Sequence, residues 1–94
     1  MSIFAVVRLH AHPGKGGAVR DMLNEGMLDV ARGDEGCVKL ELFVSDGDPD
    51  QIAVLEEWTS IEAHTRYLDT IGDTFDALME LVADREARHY TAID

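Results

Sequence analysis

The stretch Gln51–Thr70, QIAVLEEWTSIEAHTRYLDT, decides how the rest of the chain is read. Ile52, Ala53, Val54 and Leu55 form an apolar run, ended by Glu56, Glu57 and Trp58. Thr59 and Ser60 break the run, and Ile61 to Leu68 continue at helical spacing. This is a buried strand that runs straight into a helix. Ser60 suits the N-cap, because its hydroxyl can accept from a free N–H of the first turn. Trp58, His64 and Tyr67, three side chains with useful chemistry, fall within ten residues of one another.

Working outward, Ser2 to Ala11 alternates on a period of two. Ile3, Ala5, Val7, Leu9 and Ala11 point one way, and Phe4, Val6, Arg8 and His10 the other. That is a strand, covered on both faces in its apolar first half. His12 to Gly17 is a turn, since Pro13 and the glycines cannot continue a ladder. Its Gly14-Lys15-Gly16-Gly17 lacks the spacing of a phosphate loop. Val19, Met22, Leu23, Gly26, Met27 and Val30 then form one stripe of an amphipathic helix. Gly33 is its C-cap, and Asp34 to Gly36 a loop.

Cys37 to Ser45 alternates again. Val38, Leu40, Leu42 and Val44 share one face, and Cys37, Lys39, Glu41 and Phe43 the other. Asp46 to Asp50 is a hairpin connection rich in turn formers, so the second strand pairs antiparallel with a third at Gln51–Trp58. This acidic run lacks a calcium-loop Glu and reads as solvated. Past Leu68 a break at Thr70 to Asp73 leads to a second helical stripe of Phe75, Leu78, Met79 and Val82. Ala87 to Ile93 is a short fourth strand. Strand, helix, strand, strand, helix pair, strand is the split βαβ, ferredoxin-like order of an α+β fold with a four-stranded antiparallel sheet. Residues 1–94 are expected to form one such domain. With helices on one face, the other face needs a cover. Val38, Leu40, Leu42, Val44 and the apolar start of the first strand predict that this face is apolar, and a homodimer would bury it.

Composition narrows the function. The chain has 94 residues and a formal net charge of −11, from 19 acidic and 8 basic side chains. That balance argues against nucleic acid and against an anionic membrane surface. No apolar run approaches the ~18–20 residues of a membrane span, and the N-terminus lacks a secretory pattern. Cys37 is the one cysteine, with no partner for an internal disulfide, and is read as a structural thiol. A reducing, cytoplasmic setting is expected.

The ordered motifs resemble a known family. VVRL at Val6–Leu9 is followed by HPGK at His12–Lys15, EGC at Glu35–Cys37, and LEEW with S-x-E-A at Leu55–Ala63. This pattern is similar to the antibiotic biosynthesis monooxygenase family of the dimeric α/β-barrel superfamily, over almost the whole chain. The resemblance implies a homodimer whose sheets form a shared barrel, with a pocket in each subunit between sheet and helices. Several members oxidise quinols or anthrone-type aromatics with O2 and no metal or flavin. Others degrade haem or act on small signalling molecules. The chain departs from the pattern at three places. Tyr67 stands where many members carry a His, nine residues after the Trp. Val7 stands where haem-degrading members carry an Asn, which argues against haem. His64 stands where some ring-oxidising members carry a Tyr.

The candidates divide by chemistry. His64, with an ordinary pKa near ~6.5, suits removal of a phenol or quinol proton. His10 is the second candidate base. Tyr67, on the same helix face as His64, would line a pocket or take the place of the family's His. Trp58 would supply a flat wall for an aromatic ligand, or close the strand–helix corner as a core residue. Arg8 would stabilise an anion or pair with Glu41 or Glu56 across the sheet. Phe43 is a further candidate substrate contact. His10 and His12, with His64 and His89 elsewhere, show no ligand spacing for a metal, and no cofactor is expected. The expected activity is a cofactor-free monooxygenase acting on a small aromatic. Two alternatives stand beside it: a non-catalytic dimer binding a small hydrophobic molecule, and a proton-transfer enzyme (isomerase or cyclase) on the same scaffold.

Overall fold

The period-two rows of the strands settle into a single layer. The computed structural model describes residues 2–93. β1 (Ile3–Ala11) leads to a long helical segment. β2 (Cys37–Ser45) and β3 (Asp48–Trp58) follow, then α3 (Ile61–Thr70), α4 (Gly72–Met79) and β4 (Val82–Tyr90). The sheet order is β2-β3-β1-β4, antiparallel at each pairing. This is the ferredoxin-like α+β order expected from the sequence.

β1 sits in the centre, paired with β3 from Ile3↔Trp58 through Leu9↔Ile52. Ala5, Leu9, Ile52, Val54 and Trp58 therefore share one face, and all are buried under the helices. The turn before the first helix is held by Asp50, whose carboxylate accepts from the N–H groups of Gly14 (3.1 Å) and Gly16 (2.9 Å). Gly14 has φ +82°, a conformation that favours glycine. Gly16 lies so close to the Pro49 carbonyl that a Cβ would overlap it.

Several boundaries differ from the sequence reading. The first helix is interrupted: α1 (Gly16–Met22) passes through a π-helical turn (Leu23–Met27) into α2 (Leu28–Arg32). A π turn inserts one extra residue, which rotates the later part by ~100°. Val19, Leu23 and Met27 are buried as expected, but Leu28 and Ala31 then replace Val30, which is exposed. β3 begins at Asp48, so Asp46-Gly47 alone makes the hairpin turn. Pro49 is tolerated there because pairing with β1 extends only as far as Gln51. Ile71 alone separates α3 from α4. β4 begins at Val82, not Ala87, and Val82 belongs to it and not to the preceding helix.

The largest correction concerns β2. A bulge between Cys37 and Lys39 shifts its register, and a one-residue shift exchanges faces. Cys37 pairs with Trp58 and Leu40 with Glu56, so Leu40 and Leu42 turn toward the helices and not toward the open face. Val38 is left exposed at the bulge. The open face instead carries Phe4, Val6, Phe43 and Leu55 among the charged pairs Arg8–Glu86 and Lys39–Glu41.

Candidate active site

The same two-residue period that buries Val54 and Trp58 also buries the residue between them on that row, Glu56. Its carboxylate meets a helix whose start is firmly anchored. The Ser60 hydroxyl accepts from the Ala63 N–H at 3.1 Å, as an N-cap should. The Thr59 N–H donates to the Gly36 carbonyl at 2.8 Å, and a Cβ on Gly36 would overlap the Ala63 methyl. Arg66 makes a two-pronged ion pair with Asp34. With its start anchored in this way, α3 turns Ala63, His64 and Tyr67 inward at helical spacing.

A cavity of about 110 Å3 lies between the helix-covered face of the sheet and the helices. Its wall is mostly apolar, with Val7, Leu9 and Val54 from the sheet and Met27, Phe75 and Leu78 among those from the helices. Four polar side chains reach it: Glu56, His64, Tyr67 and Arg85. The Arg85 guanidinium sits over the Phe75 ring, 5.3 Å from its centre.

Glu56 Oε1 accepts from Trp58 Nε1–H at 2.8 Å and faces His64 Nε2 at 3.5 Å. The other ring nitrogen of His64, Nδ1, lies 2.8 Å from His89 Nε2. Burial pushes the Glu56 carboxyl above the usual range, and the Trp58 hydrogen bond only partly opposes this. Burial, then the neighbouring His89, pulls His64 down to about 4. At neutral pH His64 is therefore uncharged, and Glu56 is a stronger proton acceptor than an exposed carboxylate.

The candidate residues separate cleanly. His64 and Tyr67 line the cavity. The Tyr67 hydroxyl donates to the Met27 carbonyl at 3.1 Å, and burial raises its pKa well above the ordinary value. Tyr67 thus presents its ring to the cavity, with its hydroxyl engaged by a backbone carbonyl. Trp58 is fully buried beneath the site: its ring stacks on Tyr67 at 5.1 Å and lies 5.3 Å from that of His64. Arg8, His10 and Phe43 do not reach the cavity. Strand parity puts them on the opposite face, exposed, with Arg8 paired to Glu86 at 3.3 Å and His10 3.8 Å from Asp48. Arg8 pairs with neither Glu41 nor Glu56. Among the described residues no group of three or more His, Cys, Asp or Glu side chains is placed to hold a metal ion.

Three polar site residues escaped the sequence reading: Glu56, His89 and Arg85. Glu56 was legible from the row Ile52–Val54–Glu56–Trp58, but a carboxylate is ordinarily assigned to solvent. His89 reaches the site only through the pairing Ala5↔His89, which no local pattern reveals.

Comparison with known proteins agrees with the fold. A variant of SnoaB from Streptomyces nogalater, described as a cofactor-independent oxygenase, superposes with a TM-score of 0.87. It is 19% identical, with 99% of this chain and 94% of that one covered. Rv0793 from Mycobacterium tuberculosis gives 0.88 at 18% identity, covering 100% and 97%. SO0527 from Shewanella oneidensis gives 0.82 at 27% identity, covering 95% and 88%. No curated protein matches the sequence. Among the described residues no helix is long and apolar enough to cross a membrane. The family described as antibiotic biosynthesis monooxygenase matches residues 2–89, and the chain belongs to that family.

Proposed function

We propose that the protein is a cofactor-independent monooxygenase acting on a small phenol or quinol. The observation that carries this reading is the polar end of an otherwise apolar cavity, where Glu56 and His64 meet. The volume leaves room for no more than one ring. An engineered cavity of ~150 Å3 takes benzene, and about 110 Å3 is somewhat less. An anthrone-sized ligand would require the helices to move apart.

The chemistry would start with ionised Glu56 taking the ring hydroxyl proton. The resulting phenolate is electron-rich enough to pass one electron to O2. The radical pair recombines at a ring carbon to give a peroxide. Loss of water, which takes the ring-carbon hydrogen and one further proton, then leaves one oxygen atom on the ring as a quinone carbonyl and releases the other as water. The protein contributes orientation, a dry pocket and a proton acceptor of raised basicity. Arg85, at the same cavity, would stabilise the anion.

Oxygen uptake with single-ring phenols and quinols, together with 18O2 labelling, tests the reading. One labelled atom per quinone and a rate above autoxidation are expected. Saturable quenching of Trp58 fluorescence by the same ligands, with no uptake, would instead favour the binding reading.

The open face of the sheet is the proposed homodimer interface. Phe4, Val6, Phe43 and Leu55 supply its apolar part. Sedimentation at micromolar concentration is expected to give a dimer, and Phe43→Asp a monomer. A wild-type monomer under these conditions would remove the dimer.

A further inference from the structure

The proton taken by a base buried at the end of a cavity must pass on, to the peroxide or to solvent, before the base can act again. Three groups stand in line between that end and the surface. Glu56 and His64 are buried, whereas His89 on β4 is exposed. The successive separations are 3.5 Å from Glu56 Oε1 to His64 Nε2 and 2.8 Å from His64 Nδ1 to His89 Nε2. The two steps use opposite nitrogens of the His64 ring, which is the arrangement that lets an imidazole pass a proton through itself.

We propose that Glu56, His64 and His89 form a proton wire from the inner end of the cavity to solvent. The proposal rests on the reading of this cavity as the reaction site. Two protonation arrangements are open to the three groups once the 3.5 Å gap between Glu56 and His64 closes to hydrogen-bond length. In one, protonated Glu56 donates to His64 Nε2 and His64 Nδ1–H donates to His89 Nε2. In the other, ionised Glu56 accepts from His64 Nε2–H and His89 Nε2–H donates to His64 Nδ1. Conversion of the first into the second moves one proton. The carboxyl proton passes to His64 Nε2, the Nδ1 proton passes to His89 Nε2, and His89 loses its Nδ1 proton to water. His64 never carries a net charge, which suits a ring that burial keeps neutral. The first step spans 3.5 Å and must shorten before the proton crosses. Trp58 Nε1–H holds Glu56 Oε1 in place throughout.

Other titratable groups face this line. Tyr67 on α3 and Cys37 on β2 lie near Glu56, and Arg85 on β4 lines the same cavity farther along the strand. Tyr67 and Cys37 both have pKa values raised by burial, so neither competes for the proton near neutrality.

The test is 15N NMR of the imidazole rings across the Glu56 titration, without substrate, so that it stands or falls apart from any turnover. His64 is expected to remain singly protonated while its hydrogen moves from Nδ1 to Nε2 as Glu56 ionises. Glu56→Gln, whose amide oxygen still accepts from Trp58, should hold the hydrogen on Nε2 at every pH. His89→Gln, at an exposed position, should slow exchange of the His64 ring hydrogen with water about 100-fold, the lower end of what a positioned proton carrier contributes. A tautomer that ignores the ionisation of Glu56, or an unchanged exchange rate in His89→Gln, would overturn the wire.

Discussion

The two faces of one sheet carry similar residue types and give them opposite properties. On the open face Glu86 lies between Arg88 and Arg8, and both hold its carboxyl below the usual range. On the covered face Glu56 has no cationic partner among the described residues at neutral pH, only an indole N–H and a neutral imidazole, and burial raises its carboxyl. His10 stands in solvent near Asp48, whereas His64 is stacked among aromatic rings and pulled down to about 4. Desolvation, not residue type, sets the proton affinity of Glu56 and His64.

The comparison can be broken most severely at its packed foundation. Trp58→Ala removes the ring under both Tyr67 and His64 and leaves Glu56 without its donor. Urea denaturation should show a loss of about 3–5 kcal/mol. A loss below ~1 kcal/mol would mean that the corner is loosely packed.

A sharper probe is acid. His64 has a folded pKa below its unfolded value, so the unfolded chain binds the proton first as pH falls. The stability that neutral His64 contributes is present above pH ~6.5 and is lost as pH falls toward about 4. A shift of that size is worth roughly 3 kcal/mol. Glu56 runs the other way. Its folded pKa is raised, so its contribution is present below the unfolded value and is lost as pH rises through the folded one. Denaturation of wild type and His64→Gln at several pH values between 7 and 4 should show the wild type losing more stability by about that amount. Parallel curves would mean that His64 is already charged or solvated.

The smallest effect belongs to the open face. Arg8 and Glu86 form an exposed pair, which solvent and salt screen. On the monomeric Phe43→Asp background, where the open face is uncovered, Arg8→Ala should leave the denaturation midpoint unchanged in high salt. A clear drop there would show that the open face carries more of the stability than its exposure implies.

Much of this architecture was legible because it rests on local periodicity. The strand–helix corner, the Ser60 cap and the antiparallel hairpin each follow from spacing and turn chemistry alone. What was not legible depends on distant partners. The π turn at Leu23–Met27 has no residue pattern that separates it from an ordinary helix. The start of β4 runs through Asp84-Arg85-Glu86, a poor strand sequence held in place by pairing with β1. The bulge at Cys37 exchanged the faces of β2, and with it the expected cover of the open face. In the site, His64 and Tyr67 came from helical spacing. Glu56 lay in plain parity, but a carboxylate is ordinarily read as solvent-facing. Arg8, His10 and Phe43 were chosen by chemistry without regard to which face they occupy.

The central claim is that function resides on the covered face, at Glu56 and His64. The most direct test is oxygen uptake on a turned-over phenol or quinol by four variants in parallel: Glu56→Gln and His64→Phe against Arg8→Ala and His10→Ala. The first two are expected to lose ~100-fold or more in turnover, while the last two keep the wild-type rate. Retention of the rate in Glu56→Gln, with loss in Arg8→Ala or His10→Ala, would move the site to the open face and contradict the account.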